Sequence, residues 1–286
     1  MNRSFSARKP VSDGKIQFFS EPFFPYLSLR SLLAAFENLL LACLAAVAAQ
    51  IGGVILFNLD VIHALSAVKW EAKKGQCRKL FLSTGFLFVS VFLDFYIFSS
   101  AKYAIDARMN NAASGYFNLI FMPTSVIYMV ANFVIRPYLT VLTEFWGKDD
   151  RRAFFNTLKR ISAVIAGLTV LAVGGTLCLG KWVLSVMEQI MGGDPGVLTA
   201  HFWAFTGIVL GGGFYAFANL MYYALVIMRR QKTVFFVYGA GALAAVVLSG
   251  ALVGAFGIGG GALCYLLLMA GLCAGFGICT AIGLKK

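Results

Sequence analysis

The sequence predicts an all-α membrane protein of about seven transmembrane helices, and three observations predict it. Hydrophobic residues make up 60% of the 286 positions and charged residues only 13%. The apolar residues gather into runs of about twenty or more, the length that crosses a hydrocarbon core. These runs are too long and too uniformly apolar for barrel strands, so helices are the way the backbone satisfies itself in lipid.

Residues 1–32 read as a non-spanning N-terminal segment, foreign or disordered in character. Its stretch "KIQFFSEPFFPYLSLR" is aromatic but broken by Pro22 and Pro25, and no apolar core with a small-residue cleavage site marks a signal peptide. Residues 33–69 are expected to hold a first transmembrane helix, 33–59, and a cytoplasmic linker. Residues 70–286 are expected to form a six-helix transmembrane bundle, with spans at 80–101, 116–135, 161–187, 202–228, 234–256 and 258–284.

The net charge of +12 is arranged as a membrane protein arranges it, which argues against a nucleic-acid partner. Lys69, Lys73, Lys74, Arg78 and Lys79 fall in one connection, and Lys148, Arg151, Arg152, Lys159 and Arg160 in the next but one. Arg229, Arg230 and Lys232, then Lys285 and Lys286, continue the alternation, whereas the opposite connections hold only Lys102, Arg108 and Lys181. The cation-rich side is therefore expected to be cytoplasmic, with the C-terminus on it. Arg3, Arg8, Lys9, Lys15 and Arg30 then fall outside against Asp13 and Glu21, in conflict with the rule. The conflict leads to the expectation that the chain is the latter part of a longer protein.

Polar residues inside the spans mark the candidate site. Asn118, Ser125, Asn132 and Arg136 fall on one face of the third span at 100° per residue. Such a stripe faces a bundle interior or a water-filled cavity, or is explained by interhelical hydrogen bonds with Arg136 snorkelling to the interface. Asp94, with Ser90 and Ser83 on earlier turns, is a carboxylate at membrane depth that needs a partner, and it is a candidate for ion coupling. In the fifth span Tyr215, Asn219, Tyr222 and Tyr223 recur at helical spacing after Gly211–Gly213, glycines that permit close helix approach. With Arg136 they suit a diphosphate carrying sugars, guanidinium for phosphate and aromatic faces for rings; as interfacial anchors Tyr222 and Tyr223 need no such role.

Enzyme motifs are scarce, and neither catalysis nor a cofactor is expected. "GIGGG" at residues 257–261 reads as a turn between spans rather than a nucleotide loop. His63 and His201 lie near opposite membrane faces, and the six cysteines lack paired loop spacing, so buried structural thiols are expected rather than a metal site or disulfides.

Four stretches occur in order: "SSAKYAIDARMNNAASGYFNLIFMP", "IRPYLTVLTEFWGKDDRRAFFNTL", "GGGFYAFANLMYYALVIMRRQK" and "AFGIGGGALCYLL". Together they resemble landmarks of the polysaccharide-biosynthesis, O-antigen-type flippases of the multidrug/oligosaccharidyl-lipid/polysaccharide exporter superfamily. The resemblance covers residue 70 to the end and departs at Ala101, where the family commonly has proline. It implies one six-helix bundle of a two-bundle exporter plus one preceding helix, in a bacterial cytoplasmic membrane. It also implies flipping of a polyprenyl-diphosphate-linked oligosaccharide, with membrane lipid and that lipid-linked glycan as partners and a missing N-terminal bundle or a homodimer supplying the second wall. Substrate contacts would come from Arg136, Asn132, Ser125, Asn118, Tyr215, Asn219 and Tyr222, and ion coupling from Asp94. The alternatives are a non-transporting fragment or assembly partner of a polysaccharide-export complex, and a drug/cation antiporter of the same superfamily.

Overall fold

The computed structural model describes residues 74–191 and 196–285, together with positions 44, 47, 48, 51 and 52. The chain divides into the units Met1–Lys73 and Lys74–Lys286. Within the first, the five described positions are helical and fall inside the expected first span, whose remaining residues lie outside the described ones, as do the expected N-terminal segment, the linker before Lys74 and His63.

The second unit consists of α1 (Lys74–Arg108), α2 (Asn111–Gly147), α3 (Arg151–Met191), a 3-10 turn (Thr199–His201), α4 (Phe202–Ile227) and α5 (Gln231–Lys285). Among the described residues there is no strand, and five helices are long and apolar enough to cross a membrane. The described part of the chain is thus helical, with the character of a multi-pass membrane protein.

The helices run past the ends of the apolar windows. The polar stretch expected as a loop over 102–115 is helical except at Met109 and Asn110. A helix continues until a residue takes over its unpaired backbone groups. Asn110 does so in extended conformation (φ −79°, ψ 163°), its side chain accepting from the Ala113 amide at 2.9 Å. Asp106 accepts from the Ser114 hydroxyl across the same turn. The connection after α2 is equally short: Asp149 adopts a positive φ of 58°, and Asp150 caps α3 by accepting from Ala153 at 2.9 Å.

α5 has 55 residues, which at about 1.5 Å each is far longer than one crossing. It breaks at Gly257 (φ 56°, ψ −130°), a backbone conformation open to glycine. The chain reverses there. Gly241 meets Leu272, Val237 meets Gly275, and the rings of Tyr238 and Phe276 lie 4.9 Å apart, pairs that are symmetric about the break. Residues 231–256 and 258–285 therefore form an antiparallel helical hairpin, with each arm of span length. The turn read from "GIGGG" is where the structure places it, and the two last expected spans are its arms.

α4 is the central helix. It packs against α2, α3 and α5, while α1 packs along α5 and closes the bundle. Three consecutive glycines make this possible, because successive positions on a helix point about 100° apart. Gly211 abuts the Tyr265 ring of α5, Gly212 abuts Ile127 of α2, and Gly213 abuts Thr169 of α3. Outward faces remain apolar, as lipid requires: Phe95, Phe133, Val170 and Leu171 are all exposed.

The packing gathers the cation-rich connections. Leu142 of α2, Phe154 and Leu158 of α3, Met228 just after α4 and Leu284 of α5 share one apolar cluster. The turns at 148–150 and 228–230 and the C-terminal end of α5 consequently lie at one end of the bundle. A single cysteine at Asn111, in a cysteine-free background, is expected to react with an impermeant maleimide applied to intact cells. One at Asp149 should stay unlabelled until the cells are opened. The reverse pattern would invert the orientation read from the charges.

Candidate functional site

α1, α2, α4 and both arms of α5 bring aromatic and polar side chains together in the bundle interior. Asp94 of α1 accepts a hydrogen bond from the Tyr215 hydroxyl of α4 at 2.8 Å through Oδ2, and its Oδ1 is buried without a geometric hydrogen-bond partner. Tyr238, from the first arm of α5, also interacts with this carboxylate. Phe98, one turn after Asp94, packs against Tyr215 and Tyr265, with centroids 5.2 and 5.8 Å apart. Phe121 completes the wall at 4.8 Å from Tyr265. Tyr265 is fully buried, and its hydroxyl has no hydrogen-bond partner among the described residues.

From this cluster a polar ladder runs between α2 and α4. Tyr128 stacks on Tyr215, centroids 5.2 Å apart, and one turn on Asn219 donates from Nδ2 to Asn132 Oδ1 at 3.2 Å. Asn132 in turn donates to the Tyr128 carbonyl at 3.0 Å. One further turn places Arg136 in register with Tyr223, with which it interacts electrostatically. Tyr128, Asn132 and Arg136 on one helix thus face Tyr215, Asn219 and Tyr223 on the other, every pair 87 residues apart in sequence. Steps of i, i+4 keep all three rungs on one seam because the two helices run parallel.

The expected site residues divide into two sets. Tyr215, Asn219 and Asn132 are buried in the seam and Tyr222 is half-buried, its ring 6.0 Å from that of Tyr238. Asn118 and Ser125 are exposed on the flank of α2, and Arg136 is exposed at the end of the seam beside Tyr223. The stripe lies at the margin of the buried face defined by Phe117, Thr124 and Ile135, so a shift of a few tens of degrees separates a buried amide from exposed neighbours. A single vestibule lined by the whole set is not formed by the described residues. Ser83 has no described side chain, whereas Ser90 is buried and donates to the Phe86 carbonyl at 2.7 Å.

Tyr128, Tyr238, Tyr265 and Phe98 were not singled out from sequence. For Tyr128 a signal exists: the same i, i+4, i+8 polar repeat on two spans of equal direction. Glu188 was also missed. Its carboxylate, buried at the end of α3, accepts from the amides of Gly196 and Thr199, each at 3.1 Å, and from that of Leu198, pinning the entry to α4. Its sequence neighbourhood offers no clue, since all three donors lie across the turn.

Among the described residues no group of three His, Cys, Asp or Glu side chains could hold a metal ion. Cys178, Cys264, Cys273 and Cys279 are free thiols, and Cys178 is exposed rather than buried. The arrangement places a carboxylate in an apolar, phenol-lined interior, connected by a polar seam to an exposed guanidinium. In comparisons with family models, curated proteins and solved structures, no match to the chain is found.

Proposed function

We propose that the chain forms one wall of a membrane transporter that moves a polyprenyl-diphosphate-linked oligosaccharide from the cytoplasmic to the outer leaflet of a bacterial cytoplasmic membrane. The observation that carries this reading is the ladder from Asp94 through Tyr215 and Asn219 to Arg136, a polar path in helices otherwise built for lipid. Polar and charged groups at membrane depth mark pathways. In this reading Arg136 binds diphosphate, the exposed Asn118 and Ser125 and the half-buried Tyr222 contact sugars, the buried seam of Tyr215, Asn132 and Asn219 holds the helices behind them, and Asp94 takes the coupling ion. Alternating access needs a second wall facing the exposed flank of α2, supplied by another bundle or a second copy. The resemblance to oligosaccharide flippases selects the substrate class.

A drug/cation antiporter is the second reading, favoured by the carboxylate among aromatic rings, a surroundings that suits an organic cation. The two are separated in cells lacking their own flippase. Surface polysaccharide is expected to return when the chain is expressed with a facing bundle, and to fall more with Arg136→Ala than with Arg136→Lys, which keeps the charge without the planar fork. Equal export by wild type and Arg136→Ala would remove Arg136 from the site. Cationic-drug resistance without restored polysaccharide would favour the antiporter.

A further inference from the structure

We propose that the cationic end of the bundle carries a binding site for the phosphate headgroup of an anionic phospholipid. The site is a concavity of about 420 Å³ lined by Arg151, Arg152, Phe155, Asn156 and Leu284. It is separate from the seam and does not depend on the transport reading.

Charge favours an anion there. The acidic groups at this end are already engaged: Glu144 pairs with Lys148, Asp149 with Arg151, and Asp150 with the Ala153 amide. Among the described residues no acid pairs with Arg152, and Lys159, Arg160, Arg229, Arg230 and Lys232 add to the positive field. Arg151 is held in place, its guanidinium 3.8 Å above the Trp146 ring and its Nε 2.7 Å from Asp149 Oδ1. Its two terminal nitrogens keep donors that fit phosphate oxygens, and the Asn156 amide adds another.

The apolar part of the lining selects a lipid over a free anion. Phe155 is half exposed and Leu284 faces it from the end of α5, so two of the five lining side chains offer hydrocarbon rather than charge. Farther along α3 the exposed side chains are apolar, Val164, Val170 and Leu171 among them, as a helix bordered by lipid requires. Basic pockets at the ends of membrane helices recognise anionic headgroups in this way, and such lipids are enriched on the cytoplasmic leaflet.

The test is native mass spectrometry of the purified full chain titrated with phosphatidylglycerol, phosphatidylcholine or inorganic phosphate. Phosphatidylglycerol is expected to bind about tenfold more tightly than phosphatidylcholine, and equimolar inorganic phosphate should not displace it. Arg151→Gln with Arg152→Gln should weaken phosphatidylglycerol about tenfold, whereas Arg229→Gln with Lys232→Gln, at the same end but outside the concavity, should change it less than about twofold. Arg152→Gln alone leaves the Arg151–Asp149 pair intact and should weaken binding about fivefold, which keeps the test readable if the double variant folds poorly. No preference for phosphatidylglycerol would overturn the proposal. So would equal losses in the two double variants, which indicate a diffuse field, or displacement by inorganic phosphate, which indicates a free-anion site.

Discussion

Gly260→Ala is expected to eliminate folded protein, while Gly259→Ala beside it leaves folding intact. A Cβ built on Gly260 would run into the Leu252 carbonyl group, oxygen and carbon alike, and one on Gly259 would meet nothing within 4 Å. The obstacle at Gly260 is backbone, so no rotamer change relieves it. The cost therefore exceeds the roughly 1–3 kcal/mol of an ordinary overpacked side chain. Since α4 and α1 both pack along α5, opening its hairpin also removes the surface they bury against. Gly259→Ala gains helix propensity of up to about 1 kcal/mol. Size-exclusion profiles and thermal unfolding of the two variants in detergent measure the contrast. Similar behaviour would mean that the arms do not meet as described.

The spans were legible because lipid allows little but long apolar runs, and the described helices contain every such run from residue 80 onward. Their ends were not, because helix formation does not stop where hydropathy falls. Lys102 to Arg108 remain helical, and the break waits for Asn110, whose short amide caps the next helix. Glycine chemistry was legible: both "GGG" at 211–213 and "GIGGG" at 257–261 stand where helices touch or turn. The stripe on α2 was legible as a face, but not its division into buried Asn132 and exposed Asn118, Ser125 and Arg136. That division depends on where α4 crosses it, which periodicity on one helix does not contain. The partner of Asp94 was hidden for a similar reason, since Tyr215 lies 121 residues away and only packing brings it near.

Asp94 and Tyr215 are expected to behave as one energetic unit. Tyr215→Phe keeps the ring and its contacts with Phe98 and Tyr128 but removes the donor to Oδ2. Because Oδ1 is already buried without a geometric partner, the carboxylate is left poorly satisfied, at a cost of about 2–3 kcal/mol. Asp94→Leu, of similar shape, strands the Tyr215 hydroxyl and also takes the carboxylate from Tyr238, at a cost of about 1–3 kcal/mol for each hydroxyl left unpaired. The double variant removes both polar groups but still leaves the Tyr238 hydroxyl without the carboxylate it interacts with, so stability should recover from the single-variant losses and return to within about 1 kcal/mol of wild type only when Tyr238→Phe is added. A double-mutant cycle on unfolding in detergent reads the coupling directly. Losses that simply add would show that the 2.8 Å contact carries no net interaction. The same double variant also separates stability from activity. If Asp94 takes up a coupling ion, a chain with the pair replaced stays folded but loses export, whereas retained export would assign the buried carboxylate to holding α1 against α4 and to nothing more.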